Sequence, residues 1–96
     1  MIILLAYDID TKTSQGRRRL YNTAHLCEAV GTRVQHSLFE MFLDPAQLDD
    51  LKKHLLSCID PNTDSIRIYH INSHSRNRTE TLGRTRLSPY DELLTV

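Results

Sequence analysis

An apolar run of six residues, Met1–Ala6, passes directly into the segment Tyr7-Asp8-Ile9-Asp10. A run this short and this hydrophobic is typical of a strand that is buried on both faces. Asp8 and Asp10 then project from the same side of the extended chain where it leaves the core. Two carboxylates at the end of a rigid strand can hold a hard cation. The same residues can instead end the strand and cap the next helix, and for Asp10 capping is the preferred interpretation.

The size of the chain allows one domain with a modest core. A protein of 96 residues often completes its buried surface by forming a dimer. No apolar stretch is long enough to span a membrane, and Met1–Ala6 lacks the flanks of a signal peptide. Cys27 and Cys58 stand in no metal-binding or redox spacing, so reduced cysteines in a cytoplasmic protein are expected.

The net charge is zero, but the charges are segregated along the chain. Residues 11–38 carry a net charge of +4, residues 39–64 a net charge of −4, and residues 72–86 a net charge of +3. A neutral protein with such segregation can present a locally basic face to RNA or DNA.

The hydrophobic patterns follow one another in the order β-α-β-β-α-β. A first helix is predicted over 14–29, with Gly31 at its C′ position. A second helix is predicted after residue 44, where Asp44-Pro45-Ala46-Gln47 forms an N-cap and capping box. Further strands are predicted over 32–35, 38–43 and 65–71, the first two joined by a tight turn at 36–37.

This order indicates an α+β fold, a ferredoxin-like sandwich with two helices on one face of an antiparallel sheet. No linker divides the chain, so residues 1–96 are expected to form one domain with a core over 1–71. Residues 72–81 are polar and aperiodic, which predicts a mobile basic loop. Residues 93–96 predict a last short strand. Because the sheet is already complete without it, that strand is expected to pair across a dimer.

Three consecutive arginines, Arg17, Arg18 and Arg19, stand near the start of the first helix. An exposed cation at a helix N-terminus costs about 0.3–1 kcal/mol, so stability alone would not select three. A bound phosphate turns this electrostatic cost into a favourable interaction, because helix N-termini and arginine side chains both favour anions. The alternative is a solvated face. Acids that hold a cation beside arginines that hold phosphate are the composition of a phosphodiester site.

A polar series, Arg33, Gln35 and Ser37, alternates along the predicted hairpin, and Phe39 continues it. The series either contacts phosphate or an unstacked base, or is an exposed strand face. Phe39 alone is more typical of a core residue than of a stacking platform. The histidines have no zinc-site spacing, and no nucleophile or phosphate-loop motif is present.

Taken together, these residues resemble the CRISPR-associated endoribonuclease family, the small dimeric subunit of the spacer-acquisition machinery. The resemblance spans residues 1–71 in order and is loose over 72–96. Its most specific part is the segment Arg33-Val-Gln-His-Ser-Leu-Phe-Glu. The other matching motifs are Tyr7-Asp8-Ile9, the basic start of the first helix, Leu43-Asp44-Pro45-Ala46-Gln47 and Asp64-Ser65-Ile66-Arg67-Ile68-Tyr69.

The resemblance implies a two-fold homodimer that cleaves single-stranded RNA, and possibly DNA, during the acquisition of new spacers in antiviral defence. It implies that Asp8 of both protomers holds Mg²⁺, or another divalent cation such as Mn²⁺, and supports catalysis. It further implies an integrase subunit as a partner. The implied nucleic-acid contacts are Arg17, Arg18, Arg19 and Arg33, with Tyr7, Asp10, Ser37 and Phe39 in supporting positions.

Two other functions are compatible with this fold class. The first is a non-catalytic dimeric adaptor that binds DNA through its basic surface and bridges integrase subunits. The second is an acyl-phosphate hydrolase, whose glycine-rich loop follows the first strand. Here Val34-Gln35 follows the first helix and precedes His36 instead of glycine, which disfavours the hydrolase.

Overall fold

This computed structural model describes residues 1–71 and 78–84. Within these residues, five antiparallel strands form one sheet in the order β2-β3-β1-β4-β5, and two helices pack against it around a single core. The predicted α+β, ferredoxin-like fold is confirmed. The elements are β1 (Ile2–Asp8), α1 (Ser14–Val30), β2 (Gly31–Gln35), β3 (Leu38–Phe42), α2 (Pro45–Cys58), β4 (Ser65–Ile71) and β5 (Thr79–Gly83).

The first strand, β1, is the centre of the sheet, but the prediction that it is buried on both faces is wrong. Ile3 and Leu5 are completely buried, whereas Leu4 and Ala6 between them are half-buried. The reason is that the helices cover only one face, so alternate residues enter the core. By the same alternation, Asp8 lies on the side of Leu4 and Ala6, the face without helices.

The core is built from both helices and the three central strands. Phe39 and Met41 of β3 and Ile66 and Ile68 of β4 lie against the buried leucines of α2. In α1, Leu20, Ala24 and Cys27 lie at helical spacing and pack on the core, whereas Val30 is 41% exposed. Burial raises the pKa of the Cys27 thiol to about 12, so this cysteine is no thiolate at neutral pH. Neither cysteine forms a disulfide.

The start of α2 follows the prediction. The Asp44 carboxylate accepts from the Gln47 amide at 2.8 Å, and the Gln47 side chain accepts from the Asp44 amide at 2.9 Å. Pro45 occupies the first turn, where its missing N–H is not needed. The predicted capping box is therefore confirmed.

Both ends of α1 differ from the prediction. Its N-cap is Thr13, whose hydroxyl accepts from the Gly16 amide at 3.0 Å, and not Asp10, whose carboxylate accepts from the Lys12 amide in a local turn. Gly31 is extended and begins β2, so it is no C′ residue in a left-handed conformation. A Cβ on Gly31 would lie 2.6 Å from the Met41 side chain, so close strand packing explains this glycine.

The fifth strand corrects the predicted loop over 72–81. Thr79–Gly83 pairs antiparallel with β4, so the sheet continues beyond residue 71. This strand has one apolar side chain, Leu82, which is why its hydrophobic periodicity is weak. Glu80 fastens it by hydrogen bonds from Lys52 at 2.5 Å and His70 at 2.6 Å. The rest of the predicted loop and the predicted strand over 93–96 lie outside the described residues.

None of the helices within residues 1–71 and 78–84 is long and apolar enough to cross a membrane.

Candidate functional site

An open groove of about 520 Å³ lies where β1 leaves the sheet, and we call it the Asp8 groove. Three separate parts of the chain form it: the end of β1, the first half of α1 and the β2–β3 hairpin. The fold therefore brings together several residues that sequence reasoning selected from distant positions. The lining residues are Tyr7, Asp8, Ile9, Arg17, Leu20, Tyr21, Ala24, Arg33, His36 and Ser37.

Asp8 is exposed and is the last residue of β1, where it pairs with Ser65 in the ladder to β4. Among the described residues that line the groove, Asp8 supplies the one carboxylate, and Arg17 and Arg33 supply two guanidinium groups. As far as Ala6, β1 is paired with a strand on both sides. The backbone of Asp8 is held by pairing with β4. An acid on a rigid strand beside two cations is an arrangement that can hold a phosphate and a metal ion together.

The hairpin turn is tied directly to the end of β1. The Tyr7 amide donates to the Ser37 carbonyl at 3.1 Å, and the Tyr7 hydroxyl donates to the His36 carbonyl at 3.2 Å. Arg33 donates to the same His36 carbonyl at 2.7 Å. These bonds fix the hairpin turn and the Arg33 side chain beside the end of β1.

Tyr7 and Phe39 support the groove from the core. Tyr7 is 6% exposed and Phe39 is completely buried, and their rings stack with centroids 6.0 Å apart. Burial raises the pKa of Tyr7, although the nearby positive charge of Arg33 lowers it, so its hydroxyl is neutral. Phe39 has no free ring face for a base, and the core interpretation of this residue is correct.

Arg33 is half-exposed and held on three sides. Its guanidinium lies over the Phe39 ring, 5.0 Å from the centroid, and pairs with the Glu28 carboxylate at 2.5 Å. A bulge in β2 between Arg33 and Gln35 breaks the predicted alternation. As a result Arg33 and Ser37 line the Asp8 groove, whereas Gln35 does not.

The three consecutive arginines of α1 enter three different environments. Arg17 lines the Asp8 groove, and Arg18 is exposed outside it. Arg19 instead pairs with the buried carboxylate of Asp64, its Nε 2.8 Å from Oδ2. The cause is the helix itself, because successive residues are rotated by about 100° around its axis.

Asp64 is fully buried and forms a second acidic centre, which sequence reasoning noticed only as part of a motif. It accepts hydrogen bonds from Arg19, from the Asp10 and Asp60 amides, each at 2.9 Å, and from the Thr63 hydroxyl. Burial raises the pKa of its carboxyl group, but these donors outweigh burial and lower it. No sequence pattern links these positions.

Asp64 also fixes the backbone of Asp10. The Asp10 amide is anchored on Asp64, while the Asp10 carboxylate turns to Lys12 and does not line the Asp8 groove. Asp64 therefore fixes the chain two residues after Asp8. It positions the end of β1 without contacting the groove.

A metal ion would need more protein ligands than the described residues bring together. Across residues 1–71 and 78–84, no group of three or more His, Cys, Asp or Glu side chains could hold a metal ion. Asp8 is a hard oxygen donor, which suits Mg²⁺, but Mg²⁺ takes six oxygen ligands. Asp8 fits such a site only if water, substrate and a second protein carboxylate complete the shell.

Comparison with known proteins identifies close relatives. The family model described as "CRISPR associated protein Cas2" matches residues 1–79. The "CRISPR-associated endoribonuclease Cas2" of Chlorobaculum tepidum is 45% identical over 83 residues, with 86% of each chain covered. The "CRISPR-associated endonuclease Cas2" of Halalkalibacterium halodurans is 40% identical over the same length, again with 86% of each chain covered.

The fold also agrees with two solved structures. A crystal structure of Streptococcus pyogenes Cas2 superposes with a TM-score of 0.71 at 46% identity, covering 86% of this chain and 100% of that one. A hypothetical protein from Thermus thermophilus superposes with a TM-score of 0.66 at 34% identity, covering 90% of this chain and 94% of that one.

Proposed function

The chain belongs to the CRISPR-associated Cas2 family, and from this premise we propose that it is a divalent-metal-dependent endonuclease of the spacer-acquisition machinery. It acts as a homodimer on single-stranded RNA, with DNA as a further substrate. The nuclease names of its relatives support this assignment. The observation that carries it is the Asp8 groove, where one carboxylate at the end of a central strand meets Arg17 and Arg33.

The helix-free face of the sheet supports the homodimer. Antiparallel sheets that face water on one side normally carry polar residues there. On this face, the residues of β1 and their cross-strand partners on β3 and β4 are largely apolar instead, and Phe42 is 77% exposed. A second copy of the chain would cover them. The apolar or aromatic residues of this face are Ile2, Leu4 and Ala6 of β1, Leu38 and Phe42 of β3, and Tyr69 and Ile71 of β4.

The same face carries Asp8 at the end of the central strand. Two copies that cover each other with these faces about a two-fold axis bring two Asp8 side chains toward that axis. Asp8 from each protomer would then hold one Mg²⁺ or Mn²⁺ ion, with water and substrate oxygens as further ligands. Such an ion supplies Lewis-acid stabilisation of the negative charge that develops at the scissile phosphate.

The other residues of the groove bind and orient the phosphodiester. Arg17 and Arg33 contact phosphate oxygens, and Arg33 is already oriented by Glu28, Phe39 and the His36 carbonyl. At the rim of the groove, the Ser37 hydroxyl would donate a hydrogen bond to a phosphate oxygen of the substrate. Tyr7 remains neutral and buried, and keeps the hairpin at its distance from Asp8.

The direct test replaces Asp8 with asparagine, which keeps its size and removes its charge. Cleavage of a labelled single-stranded RNA in Mg²⁺ should fall by about 100-fold or more, since metal stabilisation is worth several kcal/mol. The matched control is Asp50→Asn, an exposed aspartate on α2 away from the groove. It should cleave at the parent rate, and EDTA should abolish cleavage by both active proteins.

Cleavage that survives both Asp8→Asn and EDTA would contradict the proposal.

A second function, a DNA-binding adaptor that bridges integrase subunits, is favoured by Arg18. This residue is exposed outside the Asp8 groove, and the first turn of α1 contains no acid to neutralise the arginines. A basic surface that extends past the cleavage site is expected of an adaptor. Salt-sensitive binding of duplex DNA and of an integrase subunit should then survive Asp8→Asn. Loss of both in that variant would exclude an independent adaptor role.

A further inference from the structure

We propose that Tyr21, backed by His25, is a stacking platform for an unpaired base of the strand that enters the Asp8 groove. This inference rests on the proposed function, since it assigns a binding role beside the same site. The arginines of the groove contact phosphate, whereas Tyr21 adds an aromatic face that contacts the base.

Tyr21 is placed for this role by the helix. It lines the Asp8 groove and is nevertheless 69% exposed. Its ring is nearly parallel to that of His25, at 8° between planes and 6.0 Å between centroids. Arg17, Tyr21 and His25 are spaced by four residues, so they form one stripe along α1. The stripe begins at the groove with a cation and continues with two aromatic rings.

The packing of the fold gives no reason for an aromatic residue at this position. The buried residues of α1 are Gly16, Thr23 and Cys27, and Tyr21 belongs to none of the core contacts. An exposed aromatic ring beside arginines is, in contrast, the composition of surfaces that bind single strands. There the rings stack on bases and the cations follow the phosphates.

The charge and shape of the groove select an unpaired nucleotide as the occupant. Arg17 and Arg33 flank Asp8 in the lining, and although Glu28 pairs with Arg33, both arginines present exposed guanidinium N–H groups that can contact phosphate oxygens. Its volume of about 520 Å³ is in the range of small-ligand sites. A base in a duplex is stacked on its neighbours and has no free face to offer, so the platform distinguishes unpaired from paired strands.

The test measures binding without cleavage. A short single strand containing 2-aminopurine is titrated into the full chain in EDTA, once as RNA and once as DNA. Tyr21→Ala should weaken binding about 5- to 150-fold and abolish the fluorescence change of stacking, whereas Tyr21→Phe should stay within about twofold of the parent. The same sequence as a duplex should lose less than about twofold with Tyr21→Ala.

Leu56→Ala is the matched control, because Leu56 is a half-exposed apolar residue on α2 that does not line the groove. It should leave binding unchanged. An unchanged affinity of Tyr21→Ala for both single strands would overturn the inference, as would equal losses for duplex and single strand. So would a loss in Tyr21→Phe as large as that in Tyr21→Ala. Because EDTA removes cleavage from the experiment, these outcomes are independent of whether Asp8 supports catalysis.

Discussion

Two aspartates in this protein lie beside arginines, and they differ in almost every other respect. Asp8 is exposed in an open groove with Arg17 and Arg33. Asp64 is completely buried, and its carboxylate accepts from Arg19, two backbone amides and a hydroxyl. Residue type alone does not separate the two.

The difference separates an acid whose hydrogen bonds are made within the protein from an acid that is open to a ligand. The hydrogen-bonding capacity of Asp64 is used by the protein itself, so this carboxylate has nothing left to offer a ligand. Asp8 is held by its backbone in the sheet and faces a groove that can admit water, metal ion and phosphate. The two centres are also connected, because Asp64 anchors the amide of Asp10 just after Asp8.

The largest contrast is expected in folding stability. Asp64→Asn should lower the free energy of unfolding by about 3 kcal/mol, because it removes the buried charge that pairs with the partly exposed Arg19 and sets an amide group against backbone N–H donors. Asp8→Asn should change it by no more than about 0.5 kcal/mol. Denaturant unfolding of both variants measures the contrast. Equal stabilities would mean that the buried pair with Arg19 does not hold the fold.

Acid should destabilise the protein through the Asp64 centre. The pKa of Asp64 is lowered in the folded state, and so is that of Glu80, chiefly by its hydrogen bond from Lys52. A lowered folded pKa means that the unfolded chain binds protons first. Stability is therefore fully present above the unfolded values of about 4 and is lost as pH falls through the folded pKa values. Unfolding free energies measured from neutral pH downward should show this loss.

Asp64→Asn sharpens the pH prediction. Of the two carboxyl groups with a lowered pKa, that variant lacks Asp64 and keeps Glu80. Its stability should therefore fall less steeply in acid than that of the parent protein. An identical acid dependence in both proteins would show that Asp64 does not contribute to it.

The smallest effect is expected for a single arginine of the groove. Arg17→Ala should reduce the slope of log binding constant against log salt by about one for single-stranded RNA, with little change in stability. Lys53→Ala, an exposed cation on α2, is the control and should leave the slope unchanged. Arg19→Ala should show the opposite pattern, a loss of stability that exceeds its effect on the salt slope.

The fold was largely predictable because its signals are local. The capping box at Asp44 and Gln47 fixes the start of α2, and the order of apolar patterns fixes the topology. The sequence failed where a long-range partner decides the structure. β5 is a strand because it pairs with β4, with Glu80 tied to Lys52 and His70, and a Cβ at Gly31 would meet β3.

The candidate site divides in the same way. Asp8 stands out in the sequence because it directly follows an apolar run, and the structure places it in a groove with Arg17, Arg33 and Ser37. The different fates of Arg17, Arg18 and Arg19 depend on helix rotation against the rest of the fold. The role of Asp64 depends on residue 19, which lies 45 positions away. Tyr21 could have been selected from the sequence, since it follows Arg17 at a helical spacing of four residues.

The central claim is that two Asp8 carboxylates, one from each protomer, serve one metal site. Parent protein and Asp8→Asn are mixed in varying ratios, allowed to exchange subunits, and assayed for Mg²⁺-dependent cleavage. If each site needs both carboxylates, activity follows the square of the parent fraction, about one quarter at an equal mixture. A linear decrease to about one half would show that each protomer works alone and would contradict the account.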